Sequence, residues 1–99
     1  MIPQNVRLDN LERRALAHAL EDVNGEVYLL GSRLIPSKKG GDIDILIYSK
    51  SNSLNLSREV SRRFFMECEE KIDVLVFDKD NLNEEQEAFI STLNLVRIK

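Results

Sequence analysis

Three aspartates stand where buried strands should begin. Asp42 and Asp44 open the stretch "DIDILIY", and Asp73 stands near the start of "KIDVLVF". Because successive side chains of a strand point to opposite faces, Asp42 and Asp44 share one face and lie about 6 to 7 Å apart along the strand. Carboxylates gathered in this way repel each other unless a proton or a cation lies among them. The residue types therefore favour a site for a cation with oxygen ligands.

Magnesium suits oxygen ligands of this kind, because it takes one or two protein carboxylates and fills its other positions with water and phosphate oxygens. Two such ions can hold the attacking and leaving oxygens of a phosphoryl or nucleotidyl displacement. We therefore expect Asp42, Asp44 and Asp73 to be catalytic residues and metal ligands, with two Mg²⁺ ions and a nucleoside triphosphate among them. Taken alone, "GGD" also fits an ordinary turn with a surface aspartate.

The turn that precedes the first two aspartates suits the same chemistry. Gly31 lets the backbone approach a ligand closely, and exposed backbone N–H groups with the Ser32 hydroxyl form a cradle for anions. Arg33, Lys38 and Lys39 add positive charge beside this cradle, although the two lysines also fit a solvated loop. We predict that Gly31, Ser32 and Arg33 bind the nucleotide.

Hydrophobic periodicity predicts the elements that position these residues. The first element is a helix capped by Asp9, with Leu11, Ala15, Ala19 and Val23 on one face, and two strands follow it, over Glu26–Leu30 and Asp42–Tyr48. A second helix, through Leu56, Val60, Phe64 and Cys68, leads to a third strand over Lys71–Phe77. The last elements are a helix capped by Asn83, which buries Ala88, Phe89 and Leu93, and a short tail strand in "LVRI".

This order, α-β-β-α-β-α, predicts a small α/β (α+β) fold with a mixed sheet of three or four strands. The helix between the second and third strands is the crossover of a parallel β-α-β pair, which brings Asp42, Asp44 and Asp73 to the same edge of the sheet. The first strand delivers Gly31 and Ser32 to that edge only if it runs antiparallel to the second.

Composition narrows the class of protein. The 99 residues fit one domain over residues 1–99, and the single cysteine, Cys68, excludes an internal disulfide. A net charge of -3 argues against general nucleic-acid binding, which depends on clustered Lys and Arg. We find neither a secretory signal nor an apolar run long enough to cross a membrane, and we expect a cytoplasmic protein.

The motifs together resemble a known family. Gly31-Ser32, nine further residues, Asp42-Ile43-Asp44 and then Asp73 at a later strand are similar to the signature of the DNA polymerase β-type nucleotidyltransferase superfamily. The small size resembles the minimal nucleotidyltransferases, which are often encoded beside a helical HEPN-domain partner. The likeness covers about residues 29–77. Where many relatives have a small residue, a basic residue and a glycine after Gly-Ser-Arg, this chain has Leu34, Ile35 and Pro36.

The resemblance implies that Gly31 and Ser32 contact the nucleotide phosphates, that Asp42 and Asp44 bind Mg²⁺, and that Asp73 shares the metal or acts on the incoming hydroxyl. It also implies transfer of AMP from ATP to a hydroxyl of a partner, as an antitoxin to a HEPN-type toxin. Two alternatives stay open: an antitoxin that neutralises its partner by binding alone, and a small-molecule nucleotidyltransferase of the antibiotic-modifying type.

Overall fold

The computed structural model describes residues 2–35 and 41–99. It contains three helices and four strands in the order α-β-β-α-β-α-β, so the predicted α/β class and element order are confirmed and the tail adds a strand. The elements are α1 (Asn10–Leu20), β1 (Glu26–Leu30), a 3₁₀ turn (Gly31–Leu34), β2 (Ile43–Tyr48), α2 (Ser53–Cys68), β3 (Ile72–Phe77), a second 3₁₀ turn (Lys79–Asn81), α3 (Glu84–Ser91) and β4 (Leu95–Arg97).

The four strands form one mixed sheet in the order β3-β2-β1-β4. β2 and β3 are parallel, joined by α2 as the sequence predicts. β1 runs antiparallel to β2, and β4 adds an antiparallel edge strand beside β1. The end of β1 therefore lies at the edge of the sheet where β2 and β3 begin.

The core lies between the sheet and the first two helices. Ile43, Ile45 and Ile47 on alternate positions of β2 are at most 1% exposed, and Val60 and Phe64 of α2 are fully buried. Burying a side chain as large as Phe64 stabilises the fold by about 1.5 to 3 kcal/mol. This packing fixes the face of β2 that carries the isoleucines, so Asp42 and Asp44 point to the other face, where Leu46 is also buried.

Helix α1 begins as predicted, but its buried face differs from the predicted one at both ends. Asp9 caps it in a reciprocal capping box with Glu12. Leu11, however, is 41% exposed, and the helix ends at Leu20, before Val23. Residues four apart are offset by about 40° around a helix with 3.6 residues per turn, so a stripe of three such steps drifts off the buried face.

Helix α3 corrects a second prediction. Asn83 caps it as expected, but none of its residues is buried, and Ala88 and Phe89 are exposed while Leu93 lies beyond its end, partly buried. The helix has only eight residues, three of them glutamates in its first turn, so it is too short and too polar to bury a face. Within residues 2–35 and 41–99, every helix is likewise too short or too polar to span a membrane.

Candidate functional site

The parallel pairing of β2 and β3 places Asp44 directly beside Asp73. Asp42 lies just before β2, two residues from Asp44 and on the same face. Asp44 is half-buried, whereas Asp42 and Asp73 are exposed to solvent. The three aspartates that the sequence singled out are therefore neighbours where β2 and β3 begin, and solvent and a ligand can reach them there. We call this end of the sheet, with Asp42, Asp44 and Asp73, the aspartate edge.

The aspartates interact electrostatically. Burial raises the pKa of Asp44, the neighbouring carboxyl of Asp73 raises it further through a shared hydrogen bond and charge repulsion, and the charge of Asp42 adds to the effect. The negative charge of Asp44 is thus unfavourable in this place unless a proton or a cation compensates it. Such a set of oxygen donors is chemically suited to a hard divalent cation.

Gly31 lies in contact with this cluster. The register of β1 and β2 pairs Leu30 with Asp44, so the next residue, Gly31, turns over the Asp44 side chain. Gly31 has a φ of +79°, and a Cβ on it would lie 2.8 Å from Asp44 Oδ2. Both the left-handed backbone and the lack of space require glycine here. The turn and the carboxylate therefore form one surface.

Ser32 lies at the other side of the same turn. A Cβ built on Gly41 would clash with the Ser32 hydroxyl, and Gly41 has a φ of +86°. The carbonyl of Ser32 accepts a hydrogen bond from the Ile35 N–H at 3.0 Å. Because Gly41 immediately precedes Asp42, the Ser32 hydroxyl stands next to the chain segment that carries the first aspartate.

Arg33 has a different environment from the phosphate contact that we predicted. Its side chain is 9% exposed, and Nη1 lies 2.9 Å from Glu12 Oε1 in an ion pair. Nε and Nη2 donate to the carbonyl of Gly41 at 3.1 and 3.0 Å, and Nη1 also donates to the carbonyl of Arg7 at 2.9 Å. The guanidinium is therefore directed into the protein, behind the turn.

A tighter acidic cluster lies beside Arg33. Among the described residues, Asp9, Glu12 and Glu70 are the set of three acidic side chains whose oxygens come within 4.8 Å of one another. A hydrogen bond with Glu12 raises the pKa of Glu70, and Arg33 supplies a cation beside Glu12. The oxygens of Asp42, Asp44 and Asp73 do not all come within 4.8 Å of one another, so they form the looser of the two acidic groups.

Sequence reasoning missed the contribution of Glu12 and Gly41. Glu12 is 4% exposed although it is charged. Its burial could have been inferred from the sequence, because it lies one turn before Leu16 on the buried face of α1 and is the N3 residue after the N-cap Asp9. Gly41 was noted only as part of a turn. The partner of Glu12 could not be found from spacing, because Arg33 is 21 residues away.

Other candidate residues have structural roles. Burial raises the pKa of the Cys68 thiol, which fits a structural cysteine rather than a nucleophile. His18 is exposed on α1 and its Nδ1 lies 2.6 Å from Glu67 Oε1. Lys38 and Lys39, which the sequence placed beside the anion cradle, lie outside the described residues.

A large polar cavity of about 850 Å³ lies at the opposite edge of the sheet, lined in part by Lys50, Lys79 and Arg97. The cations there are paired within the protein, Lys50 with Asp80 at 3.0 Å and Lys79 with Glu26 at 3.1 Å. Matched charges of this kind form a solvated surface and leave little net attraction for an anion. The aspartate edge, where burial and the neighbouring carboxyls raise the pKa of Asp44, is the stronger candidate for a functional site.

Comparison of the sequence with protein-family models and with curated proteins finds no match. The family assignment therefore stays a prediction that depends on the motifs and on the geometry of the aspartate edge.

Proposed function

We propose that this protein is a metal-dependent nucleotidyltransferase that moves a nucleoside monophosphate, AMP from ATP or the equivalent from another nucleoside triphosphate, onto a hydroxyl of a partner. The observation that supports this most strongly is the pairing of Asp44 with Asp73 across parallel strands, directly against the Gly31 turn. A cation site and a turn with close backbone access are the two parts that binding of a metal-nucleotide requires.

Asp42, Asp44 and Asp73 would hold Mg²⁺ in this proposal. Two observations support the fit of Mg²⁺ to these residues. The donors are all carboxylate oxygens, and the pKa of Asp44 is raised because burial and its neighbours make its negative charge unfavourable. When bound, two Mg²⁺ ions neutralise phosphate charge and orient the nucleotide for in-line displacement.

The residues of the chain then have separate tasks. The glycine at position 31 leaves space for the backbone to approach the phosphates, and the Ser32 hydroxyl donates a hydrogen bond to a phosphate oxygen. Asp73 accepts the proton of the incoming hydroxyl while the oxygen of that hydroxyl forms a bond to the α-phosphorus. The bond from the α-phosphorus to the bridging oxygen breaks, and pyrophosphate leaves with that electron pair.

The acceptor that we propose is a protein, a HEPN-domain toxin that the transfer would silence, in the cytoplasm. The resemblance to minimal nucleotidyltransferases supports this choice. It is also supported by the exposure of Asp42 and Asp73 to solvent, because a protein acceptor can bring its own surface to an open site. We expect no general binding of nucleic acids and no membrane partner.

The experiment mixes the purified protein with Mg²⁺, ATP labelled at the α-phosphate and the purified product of the neighbouring gene. Transfer of label to that protein supports the proposal, and Asp44→Asn should reduce the rate at least about 100-fold, since metal charge stabilisation contributes several kcal/mol. Asp22→Asn is the matched control, because Asp22 is exposed on the surface, where it pairs with Arg63.

Three results would contradict the proposed function or its site. Tight binding of the partner without label, with neutralisation intact in an Asp42→Ala, Asp44→Ala double variant, would show a binding antitoxin. Label on a small molecule would show an antibiotic-type enzyme. Label transfer that survives Asp44→Asn unchanged would place the chemistry elsewhere.

A further inference from the structure

The Arg33 side chain connects three separate segments of the chain around the aspartate edge. It donates to the carbonyl of Gly41 through Nε and Nη2, to the carbonyl of Arg7 through Nη1, and to Glu12 Oε1 through the same nitrogen. The backbone of Arg33 adds a further bond, since its carbonyl accepts from the Arg7 N–H at 2.8 Å. One residue thus joins the turn after β1, the N-terminal segment and the start of the second strand.

The end of this network at α1 is fixed. Glu12 Oε1 accepts from the Asp9 N–H at 2.9 Å, and the Glu12 N–H donates to Asp9 Oδ1 at 2.7 Å. The Glu12 side chain is 5% exposed, so it has little freedom to follow a moving partner. The guanidinium of Arg33 is therefore held against the first turn of a helix that is anchored in the core by Ala15, Leu16, Ala19 and Leu20.

The other end of the network lies next to a predicted metal ligand. Gly41 immediately precedes Asp42, and two nitrogens of Arg33 hold its carbonyl. Gly41 has no side chain, so its backbone has more freedom than that of other residues, and it adopts a left-handed φ of +86°. Holding this carbonyl removes that freedom and sets the direction in which the chain enters β2.

We propose that Arg33 is a positioning residue that fixes Asp42 relative to Asp44 and the Gly31 turn, rather than a ligand of the nucleotide phosphates. This inference rests on the proposed function, since Asp42 matters there as a metal ligand. Arg33 acts through the Gly41 carbonyl, and Glu12 holds Arg33 in the orientation that reaches it.

The geometry requires arginine and not simply a positive charge. A guanidinium presents its donors in a rigid planar fork, so it can bind the Glu12 carboxylate on one side and the Gly41 carbonyl on the other. A lysine ammonium is a single point on a flexible stem and reaches fewer of these acceptors at once. Arg33→Lys is therefore a sharp probe, because it keeps the charge opposite Glu12 and loses the fork.

The first measurement is backbone amide hydrogen exchange, which needs no ligand. In Arg33→Lys, we expect exchange at residues 41–43 to accelerate at least tenfold while the rest of β2 and β3 keeps its protection. Val60→Ala, a core variant in α2, is the matched control for general destabilisation and should show no such local change. Unchanged exchange in Arg33→Lys, or the same local acceleration in Val60→Ala, would overturn the proposal.

The second measurement is calorimetric titration of Mg²⁺ into the protein with ATP. Arg33→Lys should need at least tenfold more Mg²⁺ for half-saturation, and Val60→Ala should match the wild type. Equal Mg²⁺ affinity in Arg33→Lys and the wild type would overturn the positioning role. If the wild-type protein binds neither Mg²⁺ nor ATP, the proposed function fails, and the exchange result alone decides whether Arg33 fixes Asp42.

A second variant tests the same connection if Arg33→Lys does not fold. Glu12→Gln keeps an oxygen acceptor for Arg33 and removes the ion pair, so the guanidinium stays in place with a weaker support. We expect exchange at residues 41–43 to accelerate about threefold in Glu12→Gln. No change relative to the wild type would contradict the proposed connection from α1 to Asp42.

Discussion

Replacing Asp44 with asparagine should stabilise the protein in the absence of metal. Asp44 lies beside Asp73 on the neighbouring strand, and such strands are about 4.8 Å apart. Two unit charges about 5 Å apart repel with about 3 kcal/mol at an effective dielectric near 20, and with about 1 kcal/mol in water. Because Asp73 is exposed, solvent screens the pair, and we expect Asp44→Asn to raise the free energy of unfolding by about 1 kcal/mol at about pH 7.

The stabilisation should depend on pH in one direction. Burial raises the pKa of Asp44, and Asp73 and Asp42 raise it further, so the folded protein favours the protonated carboxyl. The stability that this preference contributes is complete below the ordinary aspartate pKa of about 3.9 and is lost as the pH rises through the raised pKa of Asp44. The wild type should therefore approach Asp44→Asn in stability toward about pH 3 and fall behind it toward about pH 7.

The assay is urea unfolding followed by circular dichroism, with chelator present, at several pH values. Asp73→Asn and the double variant complete a double-mutant cycle, whose coupling free energy isolates the interaction between the two carboxylates. Asp22→Asn, with its side chain 73% exposed, is the surface control and should change stability little. A less stable Asp44→Asn at about pH 7, or a coupling free energy near zero, would refute the repulsion that we infer.

Three further predictions use other parts of the structure. Gly31→Ala places a methyl group against Asp44 Oδ2 and strains a positive φ, so it should lower the free energy of unfolding by about 1 to 3 kcal/mol in urea unfolding; stability equal to the wild type would contradict the close contact. Because burial raises the pKa of Cys68, its thiol should react with a disulfide reagent at about pH 8 at least tenfold more slowly in the folded than in the unfolded protein; equal rates would show an accessible thiolate. The hydroxyl of Tyr28 donates to Glu26 at 2.6 Å, which raises the pKa of Tyr28, so ultraviolet titration should show its ionisation at lower pH in Glu26→Gln than in the wild type; an unchanged titration would contradict this hydrogen bond.

The positions of the aspartates could be predicted because they follow from strand periodicity. Alternation along "DIDILIY" separates Asp42 and Asp44 from the buried isoleucines, and a helical crossover requires β2 and β3 to start at the same edge. These rules act between residues that are close in the chain or tied by regular pairing. The shared edge of the three aspartates follows from them. The antiparallel direction of β1, which the sequence predicts only as a condition, and the pairing of Asp44 with Asp73 come from the structure.

The environment of Arg33 could not be predicted in the same way. Its charge and its place after Gly31-Ser32 suggest a phosphate contact, but its acceptors on Glu12 and Arg7 come from segments that local patterns do not connect to it. The prediction that α3 buries one face is wrong for a related reason. Periodicity shows which residues share a side of a helix, but it does not show whether another element covers that side. Both outcomes depend on tertiary packing.

The most direct test of the central claim is a nuclear magnetic resonance titration of the ¹⁵N-labelled protein with Mg²⁺ and a non-hydrolysable ATP analogue. We predict saturable amide shifts concentrated at residues 31–33, 42–44 and 73, and their loss in an Asp42→Asn, Asp44→Asn double variant. Shifts confined to the polar cavity around Lys50, Lys79 and Arg97, or no shifts at all, would contradict a metal-nucleotide site at the aspartate edge.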